Sequence, residues 1–319
     1  MKRSTREEYM RRVVLFVLIF WVSSSFAQKK QVCFSFDDMP VVSYGITDSV
    51  YQQQLMNKLI ASLNIHQIPA IGFVNEKKLY QKNGTIIPIQ LAILKNWVNS
   101  GLELGTHTFS HPDYNNISFL EYASDILEGE TISKKILAEK GKTLRYFRHP
   151  FLHTGSTKEK ADSLDNFLKK HGYTVAPVTI DNDDYLFAVA YKRASVKNDT
   201  VLIRQIRTDF VEYIHKKTDY YEKQSQALFG RNIPQILLLH ASLLNSDCVD
   251  LLAAMFTKNN YEFISMDKAL QDEAYQTPVT DYGKWGISWI DRWTLSQGKK
   301  GYFFKDEPIT PDYIKTMAE

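Results

Sequence analysis

Short apolar runs alternate with amphipathic stretches along most of the chain, and that alternation predicts its architecture. Residues 32–36, 70–74 and 102–106 read as strands, and residues 49–63 and 87–99 between them read as helices. This is the βαβα rhythm of a parallel sheet. A further helix opens at Ser118-Phe119-Leu120-Glu121, where the serine and the glutamate can each satisfy the other's free backbone N–H, the arrangement of a capping box. Ser156-Thr157-Lys158-Glu159 repeats that spacing and starts a helix expected to end at Gly172, a residue suited to the left-handed conformation past a helix terminus. Strands follow at 174–179, 236–239 and 262–264, and the long stretch 185–230 reads as a mostly helical insertion with Phe210, Tyr213, Ile214 and Tyr221 among its apolar positions. About seven strands with helices between them predict an α/β fold, a distorted or incomplete (β/α) barrel of parallel strands rather than an open sheet.

The first residues follow a different pattern. Lys2, Arg3, Arg6, Arg11 and Arg12 precede an apolar block over 13–22, which gives way to Ser25-Phe26-Ala27. That order predicts a secretory signal peptide cleaved after Ala27. The block holds ten residues, whereas crossing a bilayer takes about 20, so no stable membrane anchor is expected, and the expected compartment is the periplasm or the exterior. Removing residues 1–27 takes five of 39 basic and two of 36 acidic side chains, leaving 34 of each. The basic pI of about 8.5 therefore belongs to the export signal and gives no reason to expect nucleic acid as a partner. About 290 residues remain, in a chain that is 44% apolar, enough for one barrel domain over 28–277 with a C-terminal extension over 278–319 packed on it. A monomer is the default. Cys33 and Cys248 are the only cysteines, and Cys33, inside a strand-like run, is expected to act as a small buried apolar residue rather than half of a disulfide.

Candidate chemistry gathers at the strand exits, where α/β folds place their sites. Asp37 and Asp38 end the first strand; neighbours on a strand point to opposite sides, and a turn at the exit lets both reach one pocket. His107 and His111 follow the third strand at i and i+4, a spacing that puts both imidazoles on one face of a helical turn. Joined by a carboxylate, such a pair holds zinc and leaves a position open for water. Arg148-His149-Pro150-Phe151 follows another strand, and an arginine there can keep a carboxylate ionised. Asp181, Asp183, Asp184 and Tyr185 stand at a further exit, and the apolar run 236–239 ends at His240. Taken singly, each piece has an ordinary reading as a turn, a helix cap or a hydrogen-bonded core histidine.

Their order, over residues 34–240, resembles the polysaccharide deacetylases of the NodB-homology type, the fourth carbohydrate esterase family, whose pattern is Asp-Asp, H-[ST]-x-x-H, R-x-P-[FY], D-x-x-D-[WY] and a final apolar strand ending in histidine. The resemblance implies a distorted barrel with a metal triad of Asp38, His107 and His111, and Asp37 as catalytic base with Arg148 as its partner. It further implies His240 as general acid, Asp181 or Asp184 orienting a catalytic partner, and the Phe151 N–H beside Pro150 as oxyanion donor, with Tyr185 in the aromatic position. One divalent metal is implied, zinc with cobalt or nickel as alternatives, and an acetylated carbohydrate as substrate. The preferred substrate is an N-acetylated glycan such as peptidoglycan or a chitin-like polymer, with release of acetate. An O-deacetylase of acetylated xylan would use the same metal and base, and an inactive glycan-binding barrel is the alternative from another class. Preservation of triad, base, arginine and acid together favours an active enzyme. Two departures from the pattern are Met39 in place of glycine, expected to alter the turn and narrow the entrance, and Phe151 in place of tyrosine. Trp285, Trp289 and Trp293 recur every fourth residue; packing on the barrel is favoured over stacking on sugars.

Overall fold

The computed structural model describes residues 29–319; the expected signal peptide lies outside the described residues. In chain order the first half runs β1 (Lys30–Val42), α1 (Ser49–Ile65), β2 (Ile71–Val74), α2 (Pro88–Asn99), β3 (Glu103–Thr106), α3 (Phe119–Glu128), α4 (Thr131–Ala138), β4 (Tyr146–Phe147), α5 (Lys158–Lys170) and β5 (Thr174–Val175). The second half runs α6 (Asp184–Val196), α7 (Thr200–Phe229), β6 (Gln235–Ser242), α8 (Leu243–Lys258), β7 (Tyr261–Phe263), α9 (Met266–Ala269), α10 (Trp289–Ser296) and α11 (Asp312–Ala318). The seven strands form one sheet in the order β5-β4-β3-β2-β1-β6, with β7 beside the start of β1, and every pairing is parallel. Past β5 the chain runs on to Ile180, which pairs with Leu237 of β6. One segment thus touches β4 at its start and β6 at its end, which curls the sheet into the expected distorted (β/α) barrel.

Alternation along β1 builds both sides of that wall. Val32, Phe34 and Phe36 join the large core under the helices, and each such side chain stabilises the fold by roughly 1.5–3 kcal/mol through burial. Cys33 faces the other way, in a smaller cluster with Ile71, Phe73, Tyr146 and Ile236, and both cysteines are free and buried. Ser35 and Asp37 continue the line of Cys33, so the sequence that makes a strand also aims a carboxylate inward.

Ser118 caps α3 with the full reciprocal box to Glu121. The second predicted box does not form. Thr157, not Ser156, caps α5 and accepts from the Lys160 N–H, which puts Glu159 too early to reach back; Gly172 is left-handed past the helix end, as expected, with φ of 76°. The strand predicted over 174–179 is regular only through Val175, because Pro177 has no N–H for the ladder. The insertion forms α6 and α7, and left-handed Gly230 ends α7. Trp289 and Trp293 are buried on α10, while Trp285 precedes the helix and is partly exposed, so the three do not form one stripe. The Trp289 N–H and the Ser288 hydroxyl donate to Val178 O at 2.7 Å and Thr179 O at 3.0 Å, tying the extension to the strand exit that carries Asp181.

Candidate active site

A bulge in β1 brings the two adjacent aspartates into one cleft. Pairing with β2 is irregular between Phe36 and Met39, and pairing with β6 is irregular between Asp37 and Val42; Asp38 sits there with φ of 63°. A bulge lets consecutive side chains share a face, and aspartate tolerates the left-handed region better than most residues. The strand does not stop at Asp38, as its apolar run predicts, but bends there and continues to Val42. Met39 also departs from expectation. It is wholly buried against the space left by Gly72, where an added Cβ would lie 2.9 Å from Met39 Cγ, so it packs behind the site and does not narrow the entrance.

His107 and His111 converge without a helix. Residues 107–111 form a loop in which Thr108 and His111 are left-handed, with φ of 68° and 58°. Such a conformation costs about 1–3 kcal/mol per residue, and the surroundings hold it in place. Asp125 of α3 accepts from the Phe109 and Ser110 N–H groups, each at 2.9 Å, and from the Ser110 hydroxyl. The Thr108 hydroxyl accepts from the His111 N–H at 3.0 Å. Gly129 allows the close pass, since an added Cβ would fall 2.3 Å from Thr108 C and Phe109 N.

Asp38, His107 and His111 meet at one point, with one donor atom from each lying within 4.8 Å of the others. Asp38 Oδ1 is 3.6 Å from His111 Nε2 and 3.9 Å from His107 Nε2, slightly wider than the roughly 3.4 Å between ligands of a four-coordinate zinc. The test of fit is Asp38 Oδ1, which is buried with no hydrogen-bond partner while two imidazole nitrogens face it. A buried carboxylate oxygen left in that state calls for a cation. His107 Nδ1 donates to Arg148 O at 2.8 Å, which leaves the Nε2 lone pair toward Asp38, the second-shell bond typical of a ligating histidine. Burial draws both imidazoles down to about 4, so both are neutral and able to ligate. Burial pushes Asp38 the other way, but the Lys78 ammonium and the neighbouring imidazoles together hold its carboxyl well below the usual range. Lys78 also donates to Asp38 O at 2.6 Å.

Asp37 lies beside this set, its Oδ2 3.8 Å from His107 Nε2. Arg148, fully buried, reaches both Asp37 oxygens through Nη1 at 3.2 and 3.3 Å, the Ser35 hydroxyl through Nη2 at 2.9 Å and Ala176 O through Nε at 2.8 Å. Burial raises the Asp37 carboxyl to about 6 despite the opposing pull of Arg148. It is thus an ionised group with raised proton affinity. His240 is the direct partner of Asp37 in the β1–β6 register, so a carboxylate and an imidazole stand side by side on neighbouring strands.

Of Asp181 and Asp184, it is Asp184 that meets His240. Asp184 Oδ1 accepts from His240 Nδ1 at 2.6 Å, and its Oδ2 accepts from the His240 N–H and from Asn245 Nδ2, each at 2.7 Å. Burial works against protonated His240, but Asp184 outweighs it and lifts the imidazole to about 9. Asp181 does not touch His240; it lines the cleft, accepts from the Asn182 N–H at 2.9 Å, and is raised to about 7 by burial. The cleft has a volume of about 570 Å³. Phe151 and Tyr185 stand at its rim with half-exposed rings. Buried Pro150 starts the single turn that carries Phe151 and Leu152, both left-handed, and the Phe151 N–H makes no hydrogen bond among the described residues. Lys78, Asp125, Gly129 and Asn245 are not legible as site residues in the sequence, since each is a lone polar residue or glycine whose partner lies on another element.

The profile of the polysaccharide deacetylase family matches residues 25–176. Among solved structures, the Bc1960 peptidoglycan N-acetylglucosamine deacetylase is 16% identical with a TM-score of 0.50, over 76% of this chain and 89% of that one. A family 4 carbohydrate esterase from Streptomyces lividans, in complex with acetate, is 16% identical with a TM-score of 0.45, over 75% of this chain and 95% of that one. A family 4 pseudoenzyme from Bacillus anthracis is 15% identical with a TM-score of 0.47, over 77% of this chain and 66% of that one. No curated protein matches. At such identity the first likeness speaks to fold alone.

Proposed function

We propose that this chain, a polysaccharide deacetylase of the NodB-homology family, is an active, exported, metal-dependent enzyme that hydrolyses the acetamide of an N-acetylated glycan, giving acetate and a free sugar amine. The observation that carries the reading is the orphaned Asp38 Oδ1 facing two neutral imidazoles, with a buried carboxylate and a carboxylate-held histidine on adjoining strands. A divalent cation held by Asp38, His107 and His111, zinc by the donor set, would supply Lewis acidity toward the acetyl oxygen and the attacking water.

The remaining work falls to side chains of this chain. Asp37, oriented by Arg148, accepts the proton of the attacking water. The unbonded Phe151 N–H is the available donor for the oxygen that gains charge as the carbonyl carbon becomes tetrahedral. His240, protonated at neutral pH and held by Asp184, gives its proton to the departing nitrogen, without which an amide leaves poorly.

The pH profile of acetate release from an N-acetylated oligomer tests these roles. Activity should rise with pH as Asp37 loses its proton, at or below about 6 because a bound cation favours the carboxylate, and fall as His240 loses its own, at or below about 9. In His240→Ala the alkaline limb should vanish and the amide rate should fall about 100-fold, with a much smaller loss on an aryl acetate ester, whose leaving group needs no proton. Equal losses on amide and ester would remove His240 from the role of leaving-group acid.

A further inference from the structure

His240 and Asp184 are not the only imidazole–carboxylate pair at the cleft. His153, also in the cleft wall, lies 2.7 Å through Nδ1 from Asp113 Oδ1. Asp113 is itself fixed, accepting from the Asn115 N–H at 2.8 Å and from Asn116 Nδ2 at 2.7 Å. Because a carboxylate only accepts, His153 must donate from Nδ1, and its Nε2 makes no hydrogen bond among the described residues.

The catalytic roles above do not use this pair. Between it and the triad lies the Phe151 ring, 4.4 Å from the His111 ring centroid and 5.7 Å from that of His153, half exposed and facing no core. Two consecutive left-handed residues, Phe151 and Leu152, turn the chain so that both rings stand on one wall. The C-terminal extension clamps this turn. Arg292 donates to Leu152 O at 2.7 Å, and at Gly286 an added Cβ would lie 1.9 Å from Phe151 O and 3.3 Å from His153 Cδ2. An exposed aromatic face with a fixed, unbonded imidazole nitrogen beside it suits a pyranose ring, which offers an apolar C–H face and a rim of hydroxyls that donate and accept.

We infer that Phe151 and the Asp113-held His153 form a subsite for the sugar next to the one being deacetylated, the ring packing on Phe151 and a hydroxyl hydrogen-bonded to His153 Nε2. The inference rests on the glycan reading above and narrows it to a chain of linked sugars. His153 is here a specificity-determining residue and takes no part in the bond-breaking step.

The test is calorimetric binding of tetra-N-acetylchitotetraose to the zinc-loaded Asp37→Asn chain, with and without further change at position 153. Adding His153→Ala should raise Kd about tenfold, the size of one lost hydrogen bond, and His153→Gln, whose amide restores a hydrogen-bonding group, should recover most of that loss. A rescue of this kind is not expected if the ring merely fills space. Equal Kd with histidine and alanine, or no recovery with glutamine, would overturn the subsite. A wild-type chain that binds the tetramer and loses affinity on His153→Ala, yet releases no acetate, would contradict the catalytic reading and leave the subsite standing.

Discussion

Asp37→Asn should retain its metal and lose about 1,000-fold in kcat, within the range associated with a positioned general base. Asparagine keeps the shape and one acceptor oxygen for Arg148 but takes up no proton, so the loss should fall on turnover, with little change in binding. The buried Arg148 guanidinium would face a neutral partner, and breaking a buried ion pair costs on the order of 3 kcal/mol. A drop of that order in urea-unfolding stability should therefore accompany the kinetic loss. Steady-state acetate release with metal analysis on the same sample decides the matter. A metal-replete Asp37→Asn chain with wild-type turnover would remove Asp37 from its role.

His111→Ala should abolish stoichiometric metal binding and, with it, activity. It removes one of three protein ligands, and what remains is Asp38 with a single imidazole. His111 is partly exposed, its ring beside Asp38, His107 and Phe151, and alanine keeps the backbone bond to Thr108, so the metal-free fold should unfold within about 0.5–1 kcal/mol of the metal-free wild type. Elemental analysis after dialysis against zinc, paired with metal-free urea unfolding, separates lost ligation from lost folding. A variant that still binds one equivalent with wild-type affinity would show that the cation lies elsewhere.

Much of this site could be read from the chain because its chemistry sits at strand exits, and the strands announce themselves as short apolar runs. Asp37, Asp38, His107, His111, Arg148 and His240 all follow such runs. How they converge was not legible. The i and i+4 spacing of His107 and His111 implies a helical turn, whereas the chain makes a loop with two left-handed residues, which Asp125 and Gly129, on and just past a later helix, help to hold. The bulge at Asp38 likewise depends on register with two strands, one of them about 200 residues away in sequence. Asp181 and Asp184 looked equivalent in sequence. Asp184 takes His240 because it opens α6 and its side chain turns back to β6, a fact of packing that no spacing encodes.

The most direct test is acetate release from tetra-N-acetylchitotetraose by the full chain after removal of divalent metal and again after adding one equivalent of zinc. Release should be absent from the stripped chain and return with the first equivalent. Undiminished release by the stripped chain, or none after zinc is restored, would contradict a metal-dependent deacetylase built on Asp38, His107 and His111.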